Sequence, residues 1–143
     1  GLTGMQQILP LTEEVATDVD AKRHWVRNHY EPDSQHKYET LEGKLRLLDT
    51  ILSNNWIAPT DTLKLQCLGI TFGDALVQRL GMKWVVIEDE YGIDPALRFE
   101  NSSVLAFPLT SISKRVEQGE HVNVSELFLS ACETLLQARE REA

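Results

Sequence analysis

Apolar residues recur at helical spacing through the first eighty positions and at alternate positions just beyond them, so a change of period divides the chain. Thr12 precedes Glu13 and Glu14, a capping hydroxyl followed by carboxylates that suit the positive end of a helix dipole, and this predicts a helix over about 12–30. Pro32 disfavours helical geometry at Glu31 and stops it. Leu41, Leu45, Leu48 and Leu52 recur at i, i+4, i+7 and i+11 and predict a second helix over about 35–54. Asp61 caps a third over about 62–80, with Leu65, Leu68, Phe72, Leu76 and Leu80 as its stripe and Gly81 as its C′ residue. Gly69 and Gly73 lie one turn apart inside it. Each costs a helix ~1 kcal/mol relative to alanine, so the pair predicts a close backbone approach.

Three short strands are predicted next, over 83–89, 96–100 and 104–107, with loops at 91–95 and 101–103. Alternation places Val85, Ile87, Leu97, Phe99, Leu105 and Phe107 on the core face, and Trp84, Val86, Glu88, Arg98, Val104 and Ala106 on the other. A first hairpin symmetric about residue 93 sets Glu88 opposite Arg98, a pair worth ~0.2–1 kcal/mol. Pro108 ends the third strand, and Ser111 starts a short helix that carries Lys114 and Arg115 to Gly119. Asn123 and Glu126 form a capping box for a last helix over about 124–141. Its inward residues are Leu127, Phe128, Ala131, Leu135 and Leu136, and its Arg-Glu-Arg-Glu end is expected to fray. The expected fold is one α+β domain over 1–143, its helices packed on one face of a three-stranded antiparallel β-meander in the order ααα-βββ-αα.

Of the 143 residues 42% are hydrophobic and 25% charged, enough apolar surface for a core without disulfide or metal staples. The formal net charge of -8 disfavours nucleic acid and anionic lipid as partners. No apolar run approaches the ~18 residues of a membrane span. Cys67 and Cys132 lack CxxC spacing and are expected as buried thiols, which fits a reducing, cytoplasmic setting. The chain begins at Gly1 rather than Met, which leaves a removed leader open. Charge is local: residues 41–81 are balanced, whereas 82–100 hold two basic and five acidic side chains, densest over 88–94.

Candidate chemistry is sparse. His24 and His29 are five apart rather than four, and His36 and His121 have no ligand neighbours, so neither a metal nor a cofactor is expected. Glu88-Asp89-Glu90 lacks the spacing of a calcium loop. Ser111-x-x-Lys114 matches S-x-x-K without the S-D-N and K-T-G elements that penicillin-recognising enzymes need, and helix capping explains it. No catalytic residue is assigned. Asp74, beside the glycine groove, and then Glu88 are the best acid–base candidates, with a solvated ion-paired carboxylate as the plain alternative for Asp74. Lys114 and Arg115 either neutralise the acidic hairpin or offer an anion site; internal pairing is preferred. Trp84 and Tyr91 beside acid suit a protein contact.

The stretches Leu68-Gly69-Ile70-Thr71-Phe72-Gly73-Asp74-Ala75-Leu76, Leu80-Gly81 through Tyr91-Gly92, Pro95-Ala96-Leu97-Arg98 and Phe107-Pro108-Leu109-Thr110 into Ile112-Ser113-Lys114-Arg115 resemble a bacterial family of uncharacterised proteins, domain of unknown function 3806. The resemblance covers about residues 65–130 and leaves the helical first 60 outside. It implies an α+β domain and transfers no catalytic residue. It marks Asp74, Trp84, Glu88, Asp89, Tyr91, Gly92, Arg98, Lys114 and Arg115 as either a binding surface or a buried polar network joining the third helix, the hairpin and the short helix, the network being preferred.

The first functional expectation is a non-enzymatic domain that engages another protein. The alternative is a small-molecule or hydrolytic site in a cleft between the glycine-bearing helix and the sheet, with Asp74 or Glu88 as acid–base and Arg98, Lys114 or Arg115 as anion clamp. A polar cleft at Asp74 favours a ligand, and an exposed apolar patch around Trp84 favours a partner.

Overall fold

A computed structural model describes residues 6–142. Gly1 and Ala143, the ends of the predicted domain, lie outside them. The elements run β1 Gln7–Pro10, α1 Glu13–Arg27, a 3-10 segment Pro32–Glu39, α2 Leu41–Ser53, α3 Thr62–Leu80, β2 Lys83–Asp89, β3 Gly92–Arg98, β4 Leu105–Ala106, a 3-10 turn Pro108–Thr110, α4 Ser113–Glu117 and α5 Val124–Glu142. The α+β class holds, but the sheet has four antiparallel strands in the order β1-β2-β3-β4 rather than three. β1 adds an edge by pairing Ile8 with Ile87 and Pro10 with Val85. Four residues ending in proline carry no alternation, and proline without a donor suits an edge.

Helix ends follow local chemistry. The Thr12 hydroxyl accepts from Val15 N, the Asp61 carboxylate accepts from Lys64 N, and Gly81 closes α3 at φ +75°. The predicted helix over 35–54 is instead divided. Thr40 sits in extended geometry and accepts from Gly43 N, which caps α2 and confines the preceding residues to the 3-10 segment. Leu47, Leu48 and Ile51 are buried, while Leu41, Leu45 and Leu52 sit half-buried at the rim. In α3 the expected backbone approach occurs at Gly69, whereas Gly73 makes room for side chains. A Cβ on Gly69 would lie 2.4 Å from Pro108 O, and one on Gly73 would lie 2.6 Å from the Trp84 ring.

The hairpin register corrects the sequence reading. The β2–β3 turn is Glu90-Tyr91, followed by Gly92 at φ +133°, so Asp94 and Pro95 belong to the strand. Glu88 faces Ile93, and Arg98 faces Lys83; the Glu88–Arg98 pair does not form. An odd shift exchanges the faces. Trp84, Leu97 and Ala106 are cross-strand neighbours and all join the helical core, whereas Phe107 is exposed. Adjacent Val86 and Ile87 are both almost fully buried, so the sheet is covered on both faces there. Pro95 is tolerated because β4 pairs only with Leu97 and Arg98, leaving β3 without a second neighbour at that point.

The chain end is anchored rather than frayed. Helix α5, whose Asn123 side chain accepts from Glu126 N, continues to Glu142. That carboxylate accepts from the Ser102 and Ser103 hydroxyls and Ser103 N. Arg98 Nε donates to Ser102 O from the other side of the same loop, 2.6 Å away. Leu136 points outward, against expectation. Cys67 and Cys132 are buried free thiols, and burial raises the pKa of both. No described helix is long and apolar enough to cross a membrane.

Two outcomes test these contacts. Gly69→Ala, which would stabilise an open helix, should here lower unfolding free energy by ~1–3 kcal/mol in urea titration, because the new methyl meets a carbonyl. The serine contacts hold the Glu142 pKa below the usual glutamate value, so their contribution is present above that value and lost as pH falls through the lowered one. Glu142→Gln should therefore lower the melting temperature at pH 7, by an amount that shrinks as the pH is taken down through the acid range.

Candidate functional site

Helix α3 carries Thr71, Asp74 and Gln78 at i, i+3 and i+7, a polar stripe on an otherwise apolar helix. Asp74 stands at its centre with its side chain 11% exposed. Arg23 of α1 grips it with two bonds, Nε to Oδ2 at 2.6 Å and Nη2 to Oδ1 at 2.8 Å. From the 3-10 segment the Tyr38 hydroxyl reaches Oδ2 at 2.9 Å, and from β2 the Trp84 indole donates to Oδ1 at 3.0 Å. Tyr38 also lies 2.9 Å from the Thr71 hydroxyl. Both carboxylate oxygens are therefore occupied by donors from three other elements, as a buried charge requires. The Asp74 bond raises the Arg23 pKa further, and burial raises that of Tyr38.

Beside this clamp lies a cleft of about 460 Å³, lined by Arg23, Arg27, Tyr38, Lys44, Gln78 and Trp84 among others. Lys44 is 6% exposed and donates to Gln78 Oε1 at 2.7 Å. Gln78 Nε2 donates to Glu39 O at 3.1 Å, which fixes the orientation of the amide. The Lys44 ammonium sits 5.0 Å from the Tyr38 ring centre, and burial lowers its pKa.

Of the predicted site residues, only Asp74 and Trp84 meet. Glu88 is exposed on β2, Asp89 accepts from Tyr91 N at the turn, and Tyr91 is 88% exposed. Arg98 serves the Ser102 loop. Lys114 and Arg115 are exposed on α4, and Arg115 approaches Glu120 at 3.9 Å. These residues do not form the anion clamp imagined from the sequence, nor do they neutralise the hairpin. Among the described residues Glu88, Asp89, Glu90 and Asp94 enter no ion pair.

The residues missed were Arg23, Arg27, Tyr38, Lys44 and Gln78. Their signal was polarity at buried positions: Arg23 between Val19 and Val26, and Lys44 one turn from Leu47 and Leu48. His24 pairs with Asp20, His29 Nδ1–H donates to the Trp25 carbonyl while its ring stacks on Trp56, and the described residues contain no cluster able to hold a metal ion.

Comparison with known proteins adds family and fold. No curated protein matches the chain. A crystal structure from Bacteroides thetaiotaomicron VPI-5482 is similar with a TM-score of 0.73 at 17% identity, covering 90% of this chain and 48% of that one. The chain thus spans about half the length of that neighbour, and the likeness shows the fold alone. The profile of DUF3806, a domain of unknown function, matches residues 44–128, from Lys44 through Asp74, Gln78 and Trp84 to Phe128. The match spans more than half of the sequence, and the chain belongs to the DUF3806 family.

Proposed function

We propose that the domain binds a small molecule in the cleft beside Asp74, as a binding module rather than a hydrolase. The supporting observation is convergence: eight polar or aromatic side chains from α1, the 3-10 segment, α2, α3 and β2 line one concavity of ligand size. Trp84 turns its indole into this site instead of presenting an apolar patch. An acid–base role for Asp74 needs a lone pair free to face substrate, and its oxygens already hold four donors. Glu88 does not line the cleft.

A protein partner is the second reading, and it rests on another surface. Tyr91 and Ile93 are 88% and 54% exposed at the hairpin tip beside four carboxylates that form no ion pair among the described residues, a combination that suits a basic partner. The buried free thiols suit a reducing, cytoplasmic setting.

A fragment screen on isotope-labelled protein separates the two readings. Hits should move the Trp84 indole and Gln78 amide signals and persist in Tyr91→Ser; hits confined to the hairpin tip would contradict the cleft. Asp74→Asn should cost ~1–3 kcal/mol in chemical denaturation, less than a fully buried ion pair because Arg23 keeps 27% of its side chain in water. An unchanged midpoint would remove the clamp from the argument.

A further inference from the structure

We propose that the cleft is specific for an oxyanion, the carboxylate or phosphate group of a small ligand, held between Arg27 and Lys44. The proposal rests on the cleft being a ligand site and adds the chemistry that it selects. Three cations line the cavity: Arg23, Arg27 and Lys44. Two carboxylate-bearing residues line it with them, Asp74 and Glu39, and Glu39 is exposed at the rim. Cation is thus in excess here in a chain whose net charge is -8.

The three cations differ in what answers them. Arg23 is consumed, with two bonds to Asp74 and one to Asp20 at 3.1 Å. Arg27 is not. Its Nε is buried without a hydrogen-bond partner, and among the described residues its guanidinium forms no ion pair. A buried donor left unmatched is costly, and planar guanidinium matches the two oxygens of a carboxylate or phosphate.

Lys44 hydrogen-bonds only to a neutral group, with Asp74 and Glu39 acting on it through space. Its ammonium can donate three bonds and makes one, to an amide oxygen that the Glu39 carbonyl holds in place. Among the described residues no carboxylate lies within ion-pair distance, although the chain has 22 acidic residues. Burial lowers the Lys44 pKa against the opposing pull of Asp74 and Glu39. A buried ammonium with donors to spare on the wall of a cavity is what recognition of an anion requires and what packing alone does not.

Lys44→Met separates these causes. It replaces a buried ammonium with an apolar chain of similar length, so the melting temperature should hold or rise while anion binding is lost. The probes are inorganic phosphate, acetate and, as an uncharged control, glycerol, titrated into labelled protein at constant ionic strength and read at the Trp84 indole. Phosphate or acetate should give a saturable shift, the tighter of the two naming the oxyanion. Affinity should fall roughly 10- to 100-fold in Lys44→Met and in Arg27→Gln, and remain unchanged in Lys114→Ala. Equal anion affinity in wild type and Lys44→Met, or a shift that never saturates, overturns the proposal. Neutral fragments that bind the cleft where both anions fail overturn the specificity and leave the ligand site standing. Failure of every probe and every fragment overturns both.

Discussion

One carboxylate organises this molecule. Asp74 is taken from water in the middle of α3, and a charge so placed requires donors on both oxygens. Those donors arrive from α1, the 3-10 segment and β2, so satisfying one side chain fixes four elements against one another. The glycine at position 73 follows from the same demand. Trp84 can bring its indole to Asp74 only by laying its ring where a Cβ would otherwise stand. The cleft is a further consequence: drawing Arg23 and Tyr38 to Asp74 brings Arg27, one turn along α1, and Lys44, beneath the Tyr38 ring, to the same concavity.

What the sequence disclosed follows from the range of the interactions concerned. Helix α3 was legible to its ends because its caps and its stripe are local, and Asp61, Gly81 and Leu65 to Leu76 carry them. The hairpin was not, because Tyr91-Gly92-Ile93-Asp94-Pro95 reads as a loop, whereas the chain reverses at Glu90-Tyr91 and pairs Pro95 with Val86. That odd shift moved Leu97 to the side of Trp84 and separated Arg98 from Glu88. β1 escaped notice for a different reason: its place depends on β2, which lies more than seventy residues away. For the site, Asp74 and Trp84 stood out as polar and aromatic residues inside the recognised motifs. Arg23 and Tyr38 emerge only once α1 and the 3-10 segment pack on α3.

The family match begins at Lys44, so it contains Lys44, Asp74, Gln78 and Trp84 and excludes Arg23, Arg27 and Tyr38. The cleft is therefore completed by residues that precede the matched segment. The chain's acidity now divides into two surfaces. Among the described residues the hairpin carboxylates enter no ion pair, while the cleft between α1 and α2 gathers Arg23, paired with Asp74, and Arg27 and Lys44, which form none. A protein acidic overall thus places three cations, Arg23, Arg27 and Lys44, around one small cleft.

Exchange of the tryptophan indole protons with solvent, followed by nuclear magnetic resonance, tests the Asp74 clamp most directly. The Trp84 proton, bonded to a carboxylate inside the fold, is expected to exchange far more slowly than that of Trp56, which is 55% exposed. Equal, rapid exchange of the two would show that Trp84 does not reach Asp74 and that the cleft is not built as described.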